Sequence, residues 1–264
     1  MMASRFRRAW AVETVRMVRS GFSWTAALAP ALMTGLVPVI RPVTRDGRGD
    51  YDFIAAAMTA TVCTPGFVLL LVWMAVWTAS DLADGTARGL LIRPVRRSDY
   101  LLGKYAAGLS LGAFMSILAL VTAWLLVWVL GDTSGVAYGG EVLFTSDQLA
   151  VSGLMALGTT VSVLWAGCAV ALLAGVLTRY PGSAAALTLL TWLIVELVKY
   201  PLGIEGWVFT TSLEAAWQAC ADLCRGVEVP MGRVLARAVL TSLPVIVLCP
   251  AAAVVIFRWR DLTP

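Results

Sequence analysis

The side chains that could do chemistry are concentrated in one polar segment, residues 80–105, which reads SDLADGTARGLLIRPVRRSDYLLGKY. Two carboxylates, Asp81 and Asp84, come before a short apolar stretch, and several arginines follow it. Pro94 ends any helix here, because the residue before a proline avoids helical backbone angles. The pattern predicts a short helix over 81–93 that docks into a cleft on a soluble partner. An ordinary basic loop between two spans would have a similar composition.

Several kinds of chemistry are excluded by residue type. The chain has no histidine, so histidine-based nucleophilic catalysis, metal ligation and proton relays are not available to it. Its five cysteines form no CxxC pair, which argues against a zinc site or a thioredoxin-like motif. Cys220 and Cys224 are the only pair spaced closely enough to consider, and the sequence leaves their bridging open. No GxxxxGK[ST] phosphate loop is present, so the chain cannot hydrolyse ATP alone.

The elements that must position these residues are membrane helices. Hydrophobic residues make up 59% of the 264 residues and charged residues only 14%, whereas soluble domains are roughly 45–50% apolar and about 25% charged. A span needs about 20 apolar residues. The sequence therefore predicts an all-α integral membrane protein, a single transmembrane domain over 1–264 with six helices. The predicted spans are 22–40, 53–79, 101–130, 149–177, 183–198 and 234–257.

The first 20 residues predict an amphipathic helix lying on the cytosolic membrane surface. Basic and apolar side chains separate on a helical wheel, except that Val12 falls on the basic side. The basic set is Arg5, Arg8, Arg16 and Arg19, and the apolar set is Phe6, Ala9, Trp10 and Met17. A simple basic flank that orients the first span is the alternative.

Charge predicts the orientation in the bilayer. With the N-terminus inside, 13 of the 20 lysines and arginines fall in inner segments and seven in outer ones. Cytoplasmic segments of membrane proteins carry the excess of these residues. We therefore expect a multi-pass protein of the cell membrane with both termini in the cytoplasm.

The outer segment 199–233 is too apolar for a free loop. Gly203 and Gly206 permit a tight reversal of the chain, and Trp207 and Phe209 follow. We expect one or two short helices that dip partway into the membrane and cap the exit of a pathway, since non-spanning backbone is tolerated at membrane depth where protein buries it. A surface helix with tryptophan anchors is the alternative.

The 80–105 segment resembles the loop between the second and third spans of type-2 ABC exporter permeases. That family carries an acidic residue, Gly-Thr, Leu-Leu, Pro-Val, Ser or Arg followed by Arg, and Leu-x-Gly-Lys. This chain has, in that order, Asp84, Gly85-Thr86, Leu90-Leu91, Pro94-Val95, Arg96-Arg97 and Leu101-Leu102-Gly103-Lys104. Asp84 stands where the family usually has Glu, and Arg88-Gly89 is unusual, so partner choice would differ. The predicted amphipathic helix, six spans and apolar outer segment are similar to the family's layout.

The resemblance implies a permease subunit without its own ATP site. A separate cytosolic ATPase subunit would bind ATP and Mg²⁺, and a second permease subunit, identical or homologous, would complete the pathway. This chain would bind no cofactor and no nucleic acid, and would lie in the lipid bilayer. The residues implied in coupling to the ATPase are Asp81, Asp84, Gly85, Thr86, Arg88, Leu90, Leu91, Arg93, Pro94, Arg96 and Arg97. The transported substrate and the residues that line its pathway stay open.

Two other functions compete with this one. Asp81 and Asp84 partly match the metal-binding motif of CDP-alcohol phosphotransferases, but Arg88 stands where that family needs Ala, and downstream only Asp99 is available. An ion-driven secondary carrier would need a carboxylate deep in a span. The ionisable residues nearest the bilayer lie instead close to the outer interface, and they are Glu196, Lys199, Arg233 and Arg237.

Overall fold

The structure is a computed structural model that describes residues 2–41, 51–84, 96–131, 133, 135–138, 141–178 and 180–259. It is 86% helical, and six of its helices are long and apolar enough to cross a membrane. The helices are α1 (Met2–Arg19), α2 (Gly21–Ile40), α3 (Tyr51–Met58), α4 (Phe67–Ala83), α5 (Arg97–Leu130), α6 (Ser146–Leu177), α7 (Pro181–Lys199), α8 (Thr211–Cys224) and α9 (Met231–Trp259).

The candidate spans confirm the predicted all-α membrane fold. They are Gly21–Ile40, Tyr51–Ala83, Arg97–Leu130, Ser146–Leu177, Pro181–Lys199 and Met231–Trp259. Their ends differ from the predicted boundaries by at most four residues. The largest differences are at the end of the second span and the start of the third, where the helices continue into the polar segment.

The third span is much longer than a bilayer requires. Its 34 residues extend about 51 Å, against a hydrocarbon thickness of about 30 Å. Near its start, Gly103 lies against the backbone of α1, and further along Leu111 and Phe114 lie beside the first turns of α2. The part of α5 before Ser110 therefore packs against α1 as well as against the second and fourth spans.

The second and fourth spans form the centre of the bundle. In the most apolar stretch of each, 61% and 67% of the residues are buried. Glycines on α6 let the two helices approach closely, as is typical of membrane helix interfaces. A Cβ added at Gly167 would lie 2.5 Å from the Phe67 ring, and one at Gly175 would lie 2.7 Å from Thr78. By contrast, only 11% of the most apolar stretch of the fifth span is buried, so most of its apolar surface is left for lipid or another chain.

A π-helix, Thr59–Gly66, joins α3 to α4 within the second span and contains Pro65. It packs against α2, where the hydroxyls of Thr34 and Thr61 lie 2.9 Å apart and hydrogen-bond. Both threonines are buried. Single π-helical turns inside α-helices are frequent at functional sites.

The end of the bundle opposite α1 carries the two longest described connections. Strands β1 (Val136–Tyr138) and β2 (Glu141–Phe144) pair antiparallel in a stretch where the sequence predicted only a loop. The apolar 199–233 segment contains a short helix, as expected, namely α8. The buried indole of Trp217 donates a hydrogen bond to the Thr160 hydroxyl on α6 at 2.9 Å, which fixes α8 to the bundle. Membrane insertion of this segment stays a prediction.

The two cysteines of α8 are free thiols. Burial raises the pKa of both Cys220 and Cys224 to about 12. The bridge that the sequence left open is therefore not formed in this structure.

Candidate functional site: a buried charge cluster

A cluster of ionic side chains lies where three helices meet at the α1 end of the bundle. We call it the charge cluster: Glu13 and Arg16 of α1, Asp81 near the end of α4, and Tyr100 and Lys104 near the start of α5. Tyr100 and Lys104 are four residues apart, so they share one face of α5. The cluster therefore links two helices that flank residues 85–95 to the N-terminal helix.

Lys104 is the centre of the cluster, and its side chain is fully buried (0% exposed). Its ammonium nitrogen lies 2.6 Å from Asp81 Oδ2 and donates to the Trp77 carbonyl oxygen at 3.0 Å. The same nitrogen lies 4.1 Å from the centroid of the Trp77 ring, within the range of a cation–π interaction. A buried ammonium group needs such partners, because leaving water without compensation is very unfavourable.

Asp81 accepts hydrogen bonds from three side chains. Arg16 binds both carboxylate oxygens, Oδ1 at 2.6 Å and Oδ2 at 2.9 Å, in the two-pronged geometry that makes arginine–carboxylate pairs strong. Tyr100 donates its hydroxyl at 2.7 Å, and Lys104 supplies the third donor. The hydrogen bond to Asp81 raises the pKa of the Arg16 guanidinium above its ordinary value, so this residue stays charged.

Glu13 balances the charge of the cluster. Its Oε1 accepts from Arg16 at 3.0 Å, while its Oε2 lies 3.7 Å from the Lys104 nitrogen and makes no hydrogen bond in the described part of the chain. Glu13 is buried (1% exposed), although the other described side chains of α1 are partly or fully exposed. With two carboxylates and two cations, the cluster is neutral, which is the arrangement that buried charges require.

Gly103 allows α1 to come close enough for these contacts. A Cβ at this position would lie 3.0 Å from the Ala9 carbonyl carbon, the Ala9 Cβ and the Trp10 nitrogen. Any larger side chain would push α1 away from α5. Gly103 and Lys104 are adjacent. One turn of α5 therefore provides both the small residue that lets α1 approach and the positive charge that lies close to Glu13 of α1.

The end of α9 reaches the same region. Arg97, at the start of α5, donates to the carbonyl oxygens of Phe257 and Arg258 at 3.3 and 3.1 Å. The ring of Phe257 packs against that of Tyr100, with centroids 6.1 Å apart. The last span is thereby joined to the first turn of the third.

The predicted coupling residues are only partly described. Gly85, Thr86, Arg88, Leu90, Leu91, Arg93 and Pro94 lie outside the described residues. Asp84 ends α4, and Arg96 precedes α5, and both are exposed. Asp81, in contrast, is 4% exposed and bonded within the chain. Its direct contact with a partner stays a prediction that this burial does not favour.

Four members of the charge cluster were not identified as site residues from the sequence: Glu13, Arg16, Tyr100 and Lys104. Arg16 was placed with the outward basic face of α1, but its side chain turns inward to Asp81. The signal that could have found the cluster is a lysine inside a helix that is otherwise apolar, with an unmatched aspartate at the end of the preceding span.

The arrangement is suited to holding helices together rather than to a reaction. Asp81 is fully engaged by hydrogen-bond donors, and within the described ranges no group of three or more cysteine, aspartate or glutamate side chains could hold a metal ion. A comparison with models of protein families found no match, and neither did a search of curated proteins.

Proposed function

We propose that the chain is the permease subunit of an ATP-driven exporter of the type-2 ABC class, which couples to a separate ATPase subunit through residues 81–97. The observation that carries the proposal is the charge cluster. The cluster joins the two helices that lead into and out of the 85–95 segment, and it joins both to α1. The motif of that segment supplies the resemblance to the exporter class.

The mechanism follows from this attachment. A partner that moves the 85–95 segment applies its force to the end of α4 at Ala83 and to the start of α5 at Arg97. Because Asp81 and Lys104 are both buried and 2.6 Å apart, the two helix ends move together. α4 packs on α6, and α5 packs on α2, so the movement reaches four spans.

Within this proposal the predicted coupling residues divide into two groups. Asp84 and Arg96 are exposed on either side of the segment and can contact the ATPase directly. Asp81 is a positioning residue, since its carboxylate binds Arg16 and Lys104 inside the chain. ATP and Mg²⁺ would be bound by the partner, and a second permease subunit would pack on exposed apolar spans such as α7.

The experiment is co-purification with a co-expressed ABC ATPase subunit, from membranes that hold equal amounts of each permease variant. Arg88→Glu and Arg93→Glu should weaken the complex because charge reversal replaces attraction with repulsion. Leu90→Asp should weaken it further, because it puts an unpaired charge into an apolar contact. Arg225→Glu is the matched control: this arginine is exposed at the opposite end of the bundle.

Equal recovery of the ATPase with all three variants and the control would show that the 85–95 segment is not part of the interface. Transport driven by an ion gradient in membranes without any ATPase would favour the secondary carrier instead. A metal-dependent phosphotransferase activity that Asp81→Asn and Asp84→Asn abolish would favour the CDP-alcohol phosphotransferase. Each alternative therefore has a positive result of its own.

The proposed orientation has a separate test. Single cysteines at residues 215 and 262 should react with an impermeant reagent from opposite sides of the membrane, with residue 215 labelled from outside. Labelling of residue 88 from outside would contradict both the orientation and the role of the segment in docking.

A further inference from the structure

A second feature of α1 is an apolar pocket of about 320 Å³ at the corner where α1 turns into α2. We call it the elbow pocket. Its apolar walls are Met17 and Val18 of α1, Trp24 and Ala27 of α2, and Leu111 and Phe114 of α5. The chain bends at Ser20, whose backbone is extended, so the three helices diverge around this space.

The pocket offers an occupant almost no polar surface. Two serines line it, but Ser23 Oγ accepts a hydrogen bond from the Trp73 indole at 3.1 Å, and Ser110 Oγ donates to the Ala106 carbonyl at 2.9 Å. A cavity needs free polar partners to hold water. An occupant of this pocket is therefore hydrocarbon.

The position of the pocket relates it to the membrane surface. Trp24 and Ala27 are in the first two turns of the first span, which begins at Gly21. The pocket thus lies within about 10 Å of the level at which α2 begins, from the rise of 1.5 Å per residue. The Trp24 indole donates to the Val18 carbonyl at 2.8 Å and fixes the wall. Tryptophan is the residue typical of this interfacial depth.

A basic residue directly follows one wall residue of the pocket. Arg19 directly follows Val18 at the end of α1, is exposed, and has no acidic partner within the described ranges. Val15 and Val18, on the same part of α1 as Arg19, expose about half of their surface, 51% each. Apolar and basic side chains together on one helix surface favour an anionic lipid headgroup.

We propose that the elbow pocket is a specific site for one anionic phospholipid, with an acyl chain between α1, α2 and α5 and the phosphate bound by Arg19. Charge complementarity selects the occupant: the pocket takes hydrocarbon, and the exposed, unpaired guanidinium of Arg19, next to the wall residue Val18, takes a phosphate that carries net negative charge. The inference does not depend on the proposed transport function, since it rests on the pocket and the charges alone.

The test uses native mass spectrometry of the full chain in detergent with an equimolar mixture of phosphatidylglycerol and phosphatidylcholine of identical acyl chains. The unaltered chain should retain one phosphatidylglycerol in preference to phosphatidylcholine. Arg19→Gln should reduce that preference about fivefold, the contribution of one basic residue near an anionic membrane surface. Arg8→Gln is the matched control, because Arg8 lies on the same helix about 16 Å from Arg19 and should leave the preference unchanged.

A second variant tests the pocket itself. Ser110→Leu fills the space from α5 and should reduce retention of both lipids, whereas Thr122→Leu, further along the same helix and outside the pocket, should not. Equal retention of the two lipids by the unaltered chain would overturn the proposal. So would equal effects of the Arg19 and Arg8 substitutions, which would indicate diffuse attraction, or full retention by the Ser110→Leu variant.

Discussion

The charge cluster can be tested by the balance of its charges. Lys104→Met removes one of two cations and leaves a buried net charge of −1, and Asp81→Asn leaves +1. Breaking a buried ion pair by removing one partner costs about 3–5 kcal/mol. We expect the lower end, about 3 kcal/mol for Lys104→Met, because Arg16 still binds both oxygens of Asp81 at 2.6 and 2.9 Å. For a chain of this size that corresponds to a Tm lower by about 6–12 °C.

The double variant is the decisive measurement. Lys104→Met with Asp81→Asn restores a neutral cluster, so its loss of stability should be smaller than the sum of the two single losses by about 0.5–3 kcal/mol. Tm in detergent, followed by tryptophan fluorescence, gives the three values, and proteolysis within α1 reports whether this helix is released. Additive losses in the double variant, or a Lys104→Met variant as stable as the unaltered chain, would refute the assignment of a buried ion pair.

Three further predictions follow from the packing. Gly103→Ala should lose about 1–3 kcal/mol by overpacking against α1, while Gly153→Ala, with open space around it, should gain about 0.5–1 kcal/mol, both measured by thermal unfolding. Trp217→Phe should destabilise the chain by about 1 kcal/mol, since the buried hydroxyl partner of the indole loses its donor. Maleimide labelling of Cys220 and Cys224 should be very slow at pH 8 and rise with pH, because their raised pKa leaves little thiolate; fast labelling at pH 8 would contradict their burial.

The six spans could be predicted because a membrane helix is defined by a single property, a run of apolar residues of sufficient length. The boundaries were least accurate where the second span ends and the third begins. Charged residues normally mark the end of a span, so the prediction stopped at residue 79 and started again at 101. In the structure Asp81 and Lys104 pair with each other, and both helices continue beyond this ion pair, α4 to Ala83 and α5 from Arg97.

The interior of the site could not be predicted in the same way. A helical wheel gives the angle of Arg16 on α1, but its partner Asp81 is 65 residues away and only the packed fold brings the two together. The β-hairpin was missed for a different reason. Its strands have three and four residues. The Gly139-Gly140 pair between two apolar runs is a recognised hairpin signal that the sequence did carry.

The two proposals meet near the end of α1. Glu13 and Arg16 belong to the charge cluster, and Met17 and Val18, which follow Arg16 directly, line the elbow pocket, so a shift of this part of α1 would affect both sites. In proteins most of a helix's stability comes from the packing of its apolar face rather than from its intrinsic propensity, so the position of α1 depends on these contacts. If the 85–95 segment shifts the ends of α4 and α5, it must shift α1 and change the shape of the pocket. By linkage, a lipid that prefers one shape of the pocket then favours one position of the segment, and the coupling acts equally in both directions.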